Sequence, residues 1–297
     1  SPATVSIYPQ VGVAPGSEPS GAATLNVRAL YGDKTLALHL EWSTARPTKE
    51  RAIGAFADGA AIQWPVRYGP GEALPYIGMG HAGAPVALWF WRADDSVETL
   101  AAEGFGTLTV QPSDGVKARG VWKDGVWRAV FARPLEPSPA DHRVRLNPAG
   151  QGLVPVAFAV WSGEERERDG LKRLSAWQAL RFETGKRNRA YAEQLAEPVI
   201  TGDAGNGRRL MGESGCVGCH AFPGNPDRPS AGPNLAYAGA IHSARYLAES
   251  IREPSRMVVP GKGYATVEDG KRLSLMPPFA GTERELWDMV AYLKTLR

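Results

Sequence analysis

The sequence predicts two domains, a mainly antiparallel β-sandwich followed by a smaller helical domain. At 297 residues the chain is longer than a single hydrophobic core usually supports. Strand-like apolar runs separated by turn residues fill the first part, and helical periodicity replaces them from about residue 200. Hydrophobic residues make up 43% and charged residues 22%, which is typical of a folded globular protein. We assign 1–198, including a C-terminal linker, to the sandwich domain and 199–297 to the helical domain.

The strand prediction depends on three apolar runs and one turn. The segment 35–43, "TLALHLEWS", alternates apolar and polar residues as a half-buried strand does. The segments 86–94 and 154–163 are short apolar runs rich in aromatic residues and bounded by Gly, Pro or Asp. Asp124-Gly125 separates two further strand-like runs and is typical of a tight hairpin turn. Strands at this spacing favour an antiparallel sandwich.

The helical prediction depends on capping residues and on periodicity. Asp203 is a candidate N-cap before a short helix, and the segment 243–255 is amphipathic. Thr282 and Glu285 stand three residues apart, the spacing of a capping box, before the last helix. The apolar residues that share one face of this last helix are Leu286, Met289, Val290 and Leu293.

Charge and hydropathy exclude two classes of partner. The net charge is +3, from 34 basic and 31 acidic residues, too even to indicate nucleic acid or an anionic membrane surface. No segment approaches the roughly 18 apolar residues of a membrane span; the longest candidate, 154–161, has the length of a strand.

Both cysteines of the chain lie in "CVGCH", at Cys216 and Cys219, and His220 follows directly. A redox-active C-x-x-C normally begins a helix after a strand in an α/β fold, and this segment has no such setting. A zinc site would need two further ligands, and the chain has no second cysteine pair. The third interpretation is c-type haem attachment, in which two thiols bind the macrocycle and the histidine binds the iron.

Covalent haem attachment predicts a sixth iron ligand in a downstream loop and a closing C-terminal helix. Met276, within "SLMPPF" at 274–279, and the helix after Thr282 meet these expectations. Residues 201–297 resemble the class I cytochrome c family. Besides C-x-x-C-H, the resemblance rests on Pro233-Asn234-Leu235, Met276-Pro277-Pro278 and Tyr292-Leu293.

The cytochrome c resemblance implies one covalent haem c. Cys216 and Cys219 would form its thioether bonds, His220 would be the proximal iron ligand and Met276 the distal one. Met257, in "EPSRMVVPG", is the rival distal ligand. A His/Met-ligated iron has no open coordination position, so it carries electrons and binds no substrate.

The first domain resembles the haem-b-binding γ subunits of ethylbenzene dehydrogenase, dimethylsulfide dehydrogenase, and chlorate and selenate reductases. The similar segments are "FADGAAIQWP" (56–65), "YIGMGHAGAPVALWFWRAD" (76–94), "WKDGVWRAVFARPL" (122–135) and "VAFAVWSGEERERDGLKRLSAWQALRFE" (156–183). The resemblance implies one noncovalent haem b, with Met79 and Lys172 as its iron ligands. His81 is the competing ligand, since it stands two residues from Met79.

Together the two resemblances predict a dihaem electron-transfer protein or subunit and no catalytic site of its own. Its expected partners are redox proteins, among them a molybdenum and iron–sulfur oxidoreductase and a soluble or membrane acceptor. Two alternatives stay open: a monohaem cytochrome c fused to a sandwich that serves as a binding or docking module, and a small haem enzyme. Because thioether formation takes place outside the cytoplasm, we expect a periplasmic protein whose signal peptide has been removed.

Overall fold

A computed structural model describes residues 1–10, 21–50, 52–136, 143–147, 150, 152–225, 231–258 and 264–297. The chain forms two compact units, which divide between Leu195 and Ala196. The assignment of 1–198 to a haem-b-binding domain and of 199–297 to a cytochrome c domain stays a prediction. In the described part of the chain, no helix is long and apolar enough to cross a membrane.

The first unit is built from antiparallel strands. In the described residues they are β1 (Ala3–Pro9), β2 (Ala23–Tyr31), β3 (Thr35–Ser43), β4 (Gly59–Pro65), β5 (Val86–Arg92), β6 (Val97–Ala102), β7 (Thr109–Val110), β8 (Lys117–Lys123), β9 (Val126–Pro134), β10 (Leu153–Trp161), β11 (Arg173–Leu174) and β12 (Gln178–Arg181). A short helix, α1 (Arg189–Leu195), ends the unit.

The strands hydrogen-bond in the order β7-β6-β5-β4-β10-β11-β1-β2-β3-β9-β8, and β12 pairs with β10. The strand order ends at β7, which has only two residues, and at β8, which carries Lys117, Arg119 and Lys123; among the described residues β12, which pairs only with β10, is a further edge. Asp124 and Gly125 both have positive φ, 52° and 79°, and join β8 to β9 in a two-residue hairpin turn. The predicted turn is therefore confirmed.

The two halves of this strand order pack face to face, as the predicted sandwich requires. Trp91 from β5 lies edge-on to Trp127 from β9, with ring centroids 5.2 Å apart, and to Trp42 from β3, at 6.3 Å. Trp42 stacks on Trp127 at 6.2 Å. Because side chains alternate between the faces of a strand, these tryptophans define the inner faces of the two half-sheets.

The second unit is mainly helical. Its helices are α2 (Ala204–Glu213), α3 (Ala238–Ile241), α4 (Ala244–Arg252) and α5 (Glu283–Leu293), with a 3-10 turn at Cys216–Gly218. The Asp203 side chain accepts from the backbone N–H groups of Gly205 and Asn206, and Thr282 and Glu285 form the predicted capping box. The helical prediction is confirmed, with one addition that the sequence analysis did not include. This addition is a hairpin of β13 (Ala265–Glu268) and β14 (Lys271–Ser274).

Helices α2 and α5 approach closely because a glycine lies at their contact. A Cβ atom on Gly207 would overlap the backbone carbonyl of Asp288 in α5. The Asp288 carboxylate accepts from the Asp203 backbone N–H and from the Asn206 side-chain amide, both at 2.7 Å. These bonds attach the N-terminus of α2 to the middle of α5.

Replacing Gly207 with alanine should separate α2 from α5, since the added methyl group overlaps the Asp288 carbonyl. We expect the free energy of unfolding of the second unit to fall by about 1–3 kcal/mol. Gly212→Ala is the matched control in the same helix, because its Cβ would meet open space and alanine should add about 0.5–1 kcal/mol. Urea unfolding followed by far-UV circular dichroism measures both variants. Equal effects would contradict the close helix contact.

Candidate haem-binding sites

The C-x-x-C-H segment folds into a single tight turn directly after α2. Gly215 has a φ of 77°, a left-handed conformation that glycine adopts at little cost, and it begins the 3-10 turn Cys216–Gly218. The backbone N–H of His220 donates to the Cys216 carbonyl at 3.0 Å. The Cys216 side chain is half-buried against the core of the second unit, and Cys219 is exposed. Both thiols and the histidine therefore belong to one compact turn.

The ring of His220 is oriented by one hydrogen bond. Its Nδ1 lies 2.8 Å from the carbonyl oxygen of Pro233. A carbonyl can only accept, so Nδ1 carries the proton and Nε2 keeps its lone pair. Burial lowers the pKa of His220, which favours the neutral ring. This is the tautomer and protonation state that a metal-bound histidine requires.

A glycine and an asparagine that the sequence analysis did not single out support the His220 ring. A Cβ on Gly232 would lie 2.6 Å from Cε1 of His220, so any side chain there would displace the imidazole. The Asn225 side-chain amide donates to the carbonyls of Val217 and His220, each at 2.9 Å. The available sequence signal for Asn225 is its place at the end of a Pro-Gly-Asn turn.

The two candidate distal methionines have different surroundings. Met276 is half-buried and packs against the same apolar cluster as Cys216 and Leu235. Its backbone N–H donates to Ser274 Oγ at 3.1 Å, which orients the loop after β14. Met257 is half-buried and, in the described residues, is not a member of that cluster. The described contacts therefore favour Met276.

The half-sheet of β4, β5 and β10 has a second buried face on the outside of the sandwich. Its outward residues include small ones in cross-strand pairs: Ala61 lies opposite Ala159, and Gly59 lies opposite Trp161. Ala61 and Ala157 are both only 2% exposed although they point away from the sandwich core. We call this surface, made of the outward residues of β4, β5 and β10, the outer face.

Met79 lies over the outer face in a strained backbone conformation. Its φ is 74°, which is uncommon for a residue other than glycine. Its carbonyl accepts from the Gly104 N–H at 2.8 Å, and its side chain packs against a cluster of β5 and β6 residues. The members of this cluster are Val86, Leu88, Leu100 and Ala102, with Phe90 and Trp177 packed beside them. Such strain is typical of positions held for a function.

His81, the competing candidate, uses its Nδ1 lone pair inside the chain. The backbone N–H of Tyr76 donates to His81 Nδ1 at 3.2 Å. A neutral imidazole has one protonated and one bare nitrogen, so Nε2 of His81 carries the proton. With this hydrogen bond in place, His81 has no lone pair left for a metal.

Lys172 is buried at the other end of the outer face. The residue is 6% exposed, and its Nζ donates to the backbone carbonyl of Asp169 at 3.3 Å. The Nζ lies 5.4 Å from the ring centroid of Trp161, which itself contacts Phe90 at 4.9 Å. Burial lowers the pKa of Lys172 to about 8. Phe90 also belongs to the surroundings of Met79, so both candidate ligands lie over one continuous apolar surface.

Comparison with known families agrees with this division of the chain. Residues 1–115 match the family described as Ethylbenzene dehydrogenase, and residues 204–297 match the family described as Cytochrome c. The chain carries an ethylbenzene dehydrogenase-type domain followed by a cytochrome c domain. Both predicted resemblances are therefore confirmed, and the cytochrome c domain supports a covalent haem c.

Curated relatives resemble the chain over a little more than half its length. A "Putative respiratory nitrate reductase heme subunit ORF7" from Haloferax mediterranei is 36% identical over 61% of this chain and 64% of its own. "Chlorate reductase subunit gamma" from Ideonella dechloratans is 37% identical over 53% of this chain and 64% of its own. "Dimethylsulfide dehydrogenase subunit gamma" from Rhodovulum sulfidophilum is 32% identical over 55% of this chain and 65% of its own. The matches thus span less than two thirds of each relative.

Among solved structures, a carbohydrate binding module of family 9 from Caldicellulosiruptor kristjanssonii, in complex with glucose, aligns with 62% of this chain and 86% of its own. The TM-score is 0.33 and the identity 8%, values too low to support an argument about fold or function.

In the ethylbenzene dehydrogenase-type domain, buried carboxylates hold the loop between β10 and β11 that carries Lys172. Asp58 accepts from the backbone N–H of Gly163 at 2.7 Å and from the Trp127 indole at 2.8 Å. Glu167 accepts from Ser162 N–H at 2.7 Å and pairs with Arg173 at 2.6 Å. Besides Lys172, the charged run therefore buries Glu167 and Arg173, which its composition does not indicate.

The buried Glu167 predicts a specific pH dependence of stability. Burial raises its pKa from 4.5 to about 7, so the folded chain binds this proton more tightly than the unfolded chain. The contribution of Glu167 to the free energy of unfolding is therefore present at low pH. It is lost as pH rises from about 4.5 to about 7, on the order of 3 kcal/mol in total.

Glu167→Gln should flatten this pH profile, because glutamine does not titrate. The measurement is denaturant unfolding of the first unit, followed by tryptophan fluorescence, at several pH values across that interval. Glu165→Gln is the matched control, since Glu165 pairs with the same Arg173 but is 39% exposed. A wild-type profile that survives unchanged in Glu167→Gln would contradict the assignment.

Proposed function

We propose that this chain is a dihaem electron-transfer protein, with a noncovalent haem b in the first domain and a covalent haem c in the second. It relays electrons between a periplasmic oxidoreductase and a soluble or membrane redox partner. The names of the relatives support this proposal, since they are heme or gamma subunits of a nitrate reductase, a chlorate reductase and a dimethylsulfide dehydrogenase. The first domain's family resemblance points to a molybdenum and iron–sulfur oxidoreductase as the partner complex.

The residues of the cytochrome c domain fit haem c. Cys216 and Cys219 lie on one turn for the two thioether bonds, and His220 keeps Nε2 free for the iron because Nδ1 donates to Pro233. Met276, in the loop after β14, would be the second iron ligand. Bound haem supplies one-electron exchange between ferrous and ferric iron.

The buried amine of Lys172 is the single observation on which the dihaem proposal depends. A lysine at 6% exposure whose hydrogen bond goes to a neutral carbonyl is costly as an ammonium ion. The lowered pKa of about 8 makes the neutral amine, the form that can bind iron, much easier to reach. The outer face beside it carries the small residues Gly59, Ala61 and Ala157, all buried.

Met79 is the proposed partner of Lys172, and His81 is not. The Met79 thioether packs among apolar residues of the outer face, and the strained φ of 74° fixes it there. His81 instead accepts a hydrogen bond from the Tyr76 N–H with its Nδ1 lone pair.

With both irons held on two sides by protein ligands, the chain passes electrons and leaves no coordination position for a substrate. A catalytic site belongs, in this proposal, to the partner complex. Export to the periplasm follows from covalent haem attachment, which takes place outside the cytoplasm.

Haem content tests the proposal directly. Acidified acetone extracts haem b and leaves haem c on the polypeptide, so a pyridine haemochrome measurement of both fractions should give one of each per chain. Lys172→Ala should lose the b-type fraction and keep the c-type fraction. Lys117→Ala, an exposed lysine on β8, is the control and should keep both. Wild-type protein with only haem c would overturn the dihaem proposal and leave the binding-module alternative.

A second pair of variants distinguishes the two candidate ligands near β5. Met79→Leu keeps the apolar volume and removes the sulfur, so the absorption spectrum of haem b should lose its six-coordinate low-spin form. His81→Ala should leave that spectrum unchanged. The reverse result would assign the ligand to His81 and contradict the proposal.

A further inference from the structure

The side chain of Gln10 is buried beside Lys172 without a hydrogen-bond partner. The residue is 6% exposed, and within the described part of the chain neither Nε2 nor Oε1 of its amide forms a hydrogen bond. Buried side-chain amides are nearly always paired, because an unmade hydrogen bond leaves the desolvation of the group uncompensated. An orphaned amide of this kind indicates a polar partner that the described residues do not supply.

Strand register places Gln10 on the outer face. Leu174 lies opposite Tyr8 on one side and opposite Ala159 on the other, so these three side chains share the outer face. The ladder continues past β1, since the Gln10 N–H donates to the Lys172 carbonyl at 2.8 Å. Because side chains two residues apart along a strand point the same way, Gln10 and Lys172 also share the outer face.

We propose that the Gln10 amide donates a hydrogen bond from Nε2 to a propionate carboxylate of haem b. The inference rests on the proposed haem b site, to which it adds a residue that binds the polar edge of the cofactor. Apart from its iron, a haem b is apolar except for its two propionates, and these are acceptors. Gln10 supplies a buried donor next to the proposed iron ligand Lys172, and no described residue provides an acceptor for it, whereas a haem propionate would.

This role predicts that replacing Gln10 weakens the protein with haem b bound but does not destabilise the protein without haem b. Without haem b, Gln10→Leu removes an unsatisfied amide and should leave the denaturation midpoint unchanged or raise it. With haem b, the same substitution removes a hydrogen bond to a charged group. Loss of haem b to excess apomyoglobin should then become about tenfold faster.

The experiment uses the full chain, with haem c as an internal standard for the b-to-c ratio. Gln10→Leu is compared in the wild-type background and in the Lys172→Ala background, which should lack haem b. Gln10→Met, an adaptable apolar side chain of similar length, serves as a second variant if leucine prevents folding of the wild-type background. The control is Gln63→Leu, because the Gln63 amide is also buried on the outer face but donates to the Ile77 carbonyl at 2.9 Å. Gln63→Leu should lower the denaturation midpoint in both backgrounds.

The outcomes separate this inference from the proposed function. Faster haem b loss from the Gln10 variants, together with no destabilisation of the haem-free background, supports the assignment. Haem b retained at the wild-type rate overturns the role of Gln10 and leaves the dihaem proposal intact. Destabilisation of the haem-free background as large as that of Gln63→Leu also overturns it, since the amide would then be structural. Wild-type protein without haem b overturns both.

Discussion

The arrangement of the first domain depends on one half-sheet that buries both of its faces. An antiparallel sheet commonly packs one face on a core and exposes the other. In β4 every residue from Gly59 to Pro65 is buried. The inward residues of β4, β5 and β10 form the sandwich core with its tryptophans, and the outward residues form the outer face with its small side chains. The candidate ligands Met79 and Lys172 lie over this second face, so the proposed haem b site depends on the double burial.

Much of this fold can be predicted from the sequence because buried positions recur with the period of the strand or helix that carries them. β3 and β9 alternate buried and more exposed residues, as strands with one solvated face do, whereas β10 is a continuous apolar run and β5 is apolar up to Arg92. The Asp124-Gly125 turn, the Thr282 capping box and the C-x-x-C-H turn are local, so residue type alone predicts them. The β13–β14 hairpin was not foreseen, since Ala265–Glu268 is too short and too exposed to show a strand pattern.

The supporting residues of the two sites are those that the sequence could not predict. Gly232 matters because the chain returns to the His220 ring from twelve residues away, and Asn225 matters because its amide reaches two carbonyls of the same turn. Gln10 and Lys172 are more than 160 residues apart and meet only through β11. The roles proposed for these residues depend on tertiary contacts, which neither secondary-structure propensity nor hydrophobic periodicity can predict. Lys172 is a candidate iron ligand because of the family resemblance. Composition alone would place it among the solvent-exposed charges of its segment.

The edge strands of the sheet decide how readily two chains can pair edge to edge. An exposed edge strand offers unpaired backbone groups to any neighbouring chain, and long apolar edges are the usual start of aggregation. In the described residues the edge strands β7 and β12 are only two and four residues long, and β8 carries Lys117, Arg119 and Lys123 along its length. The positive charges on the β8 strands of two chains would repel each other, which disfavours pairing of two copies through this edge.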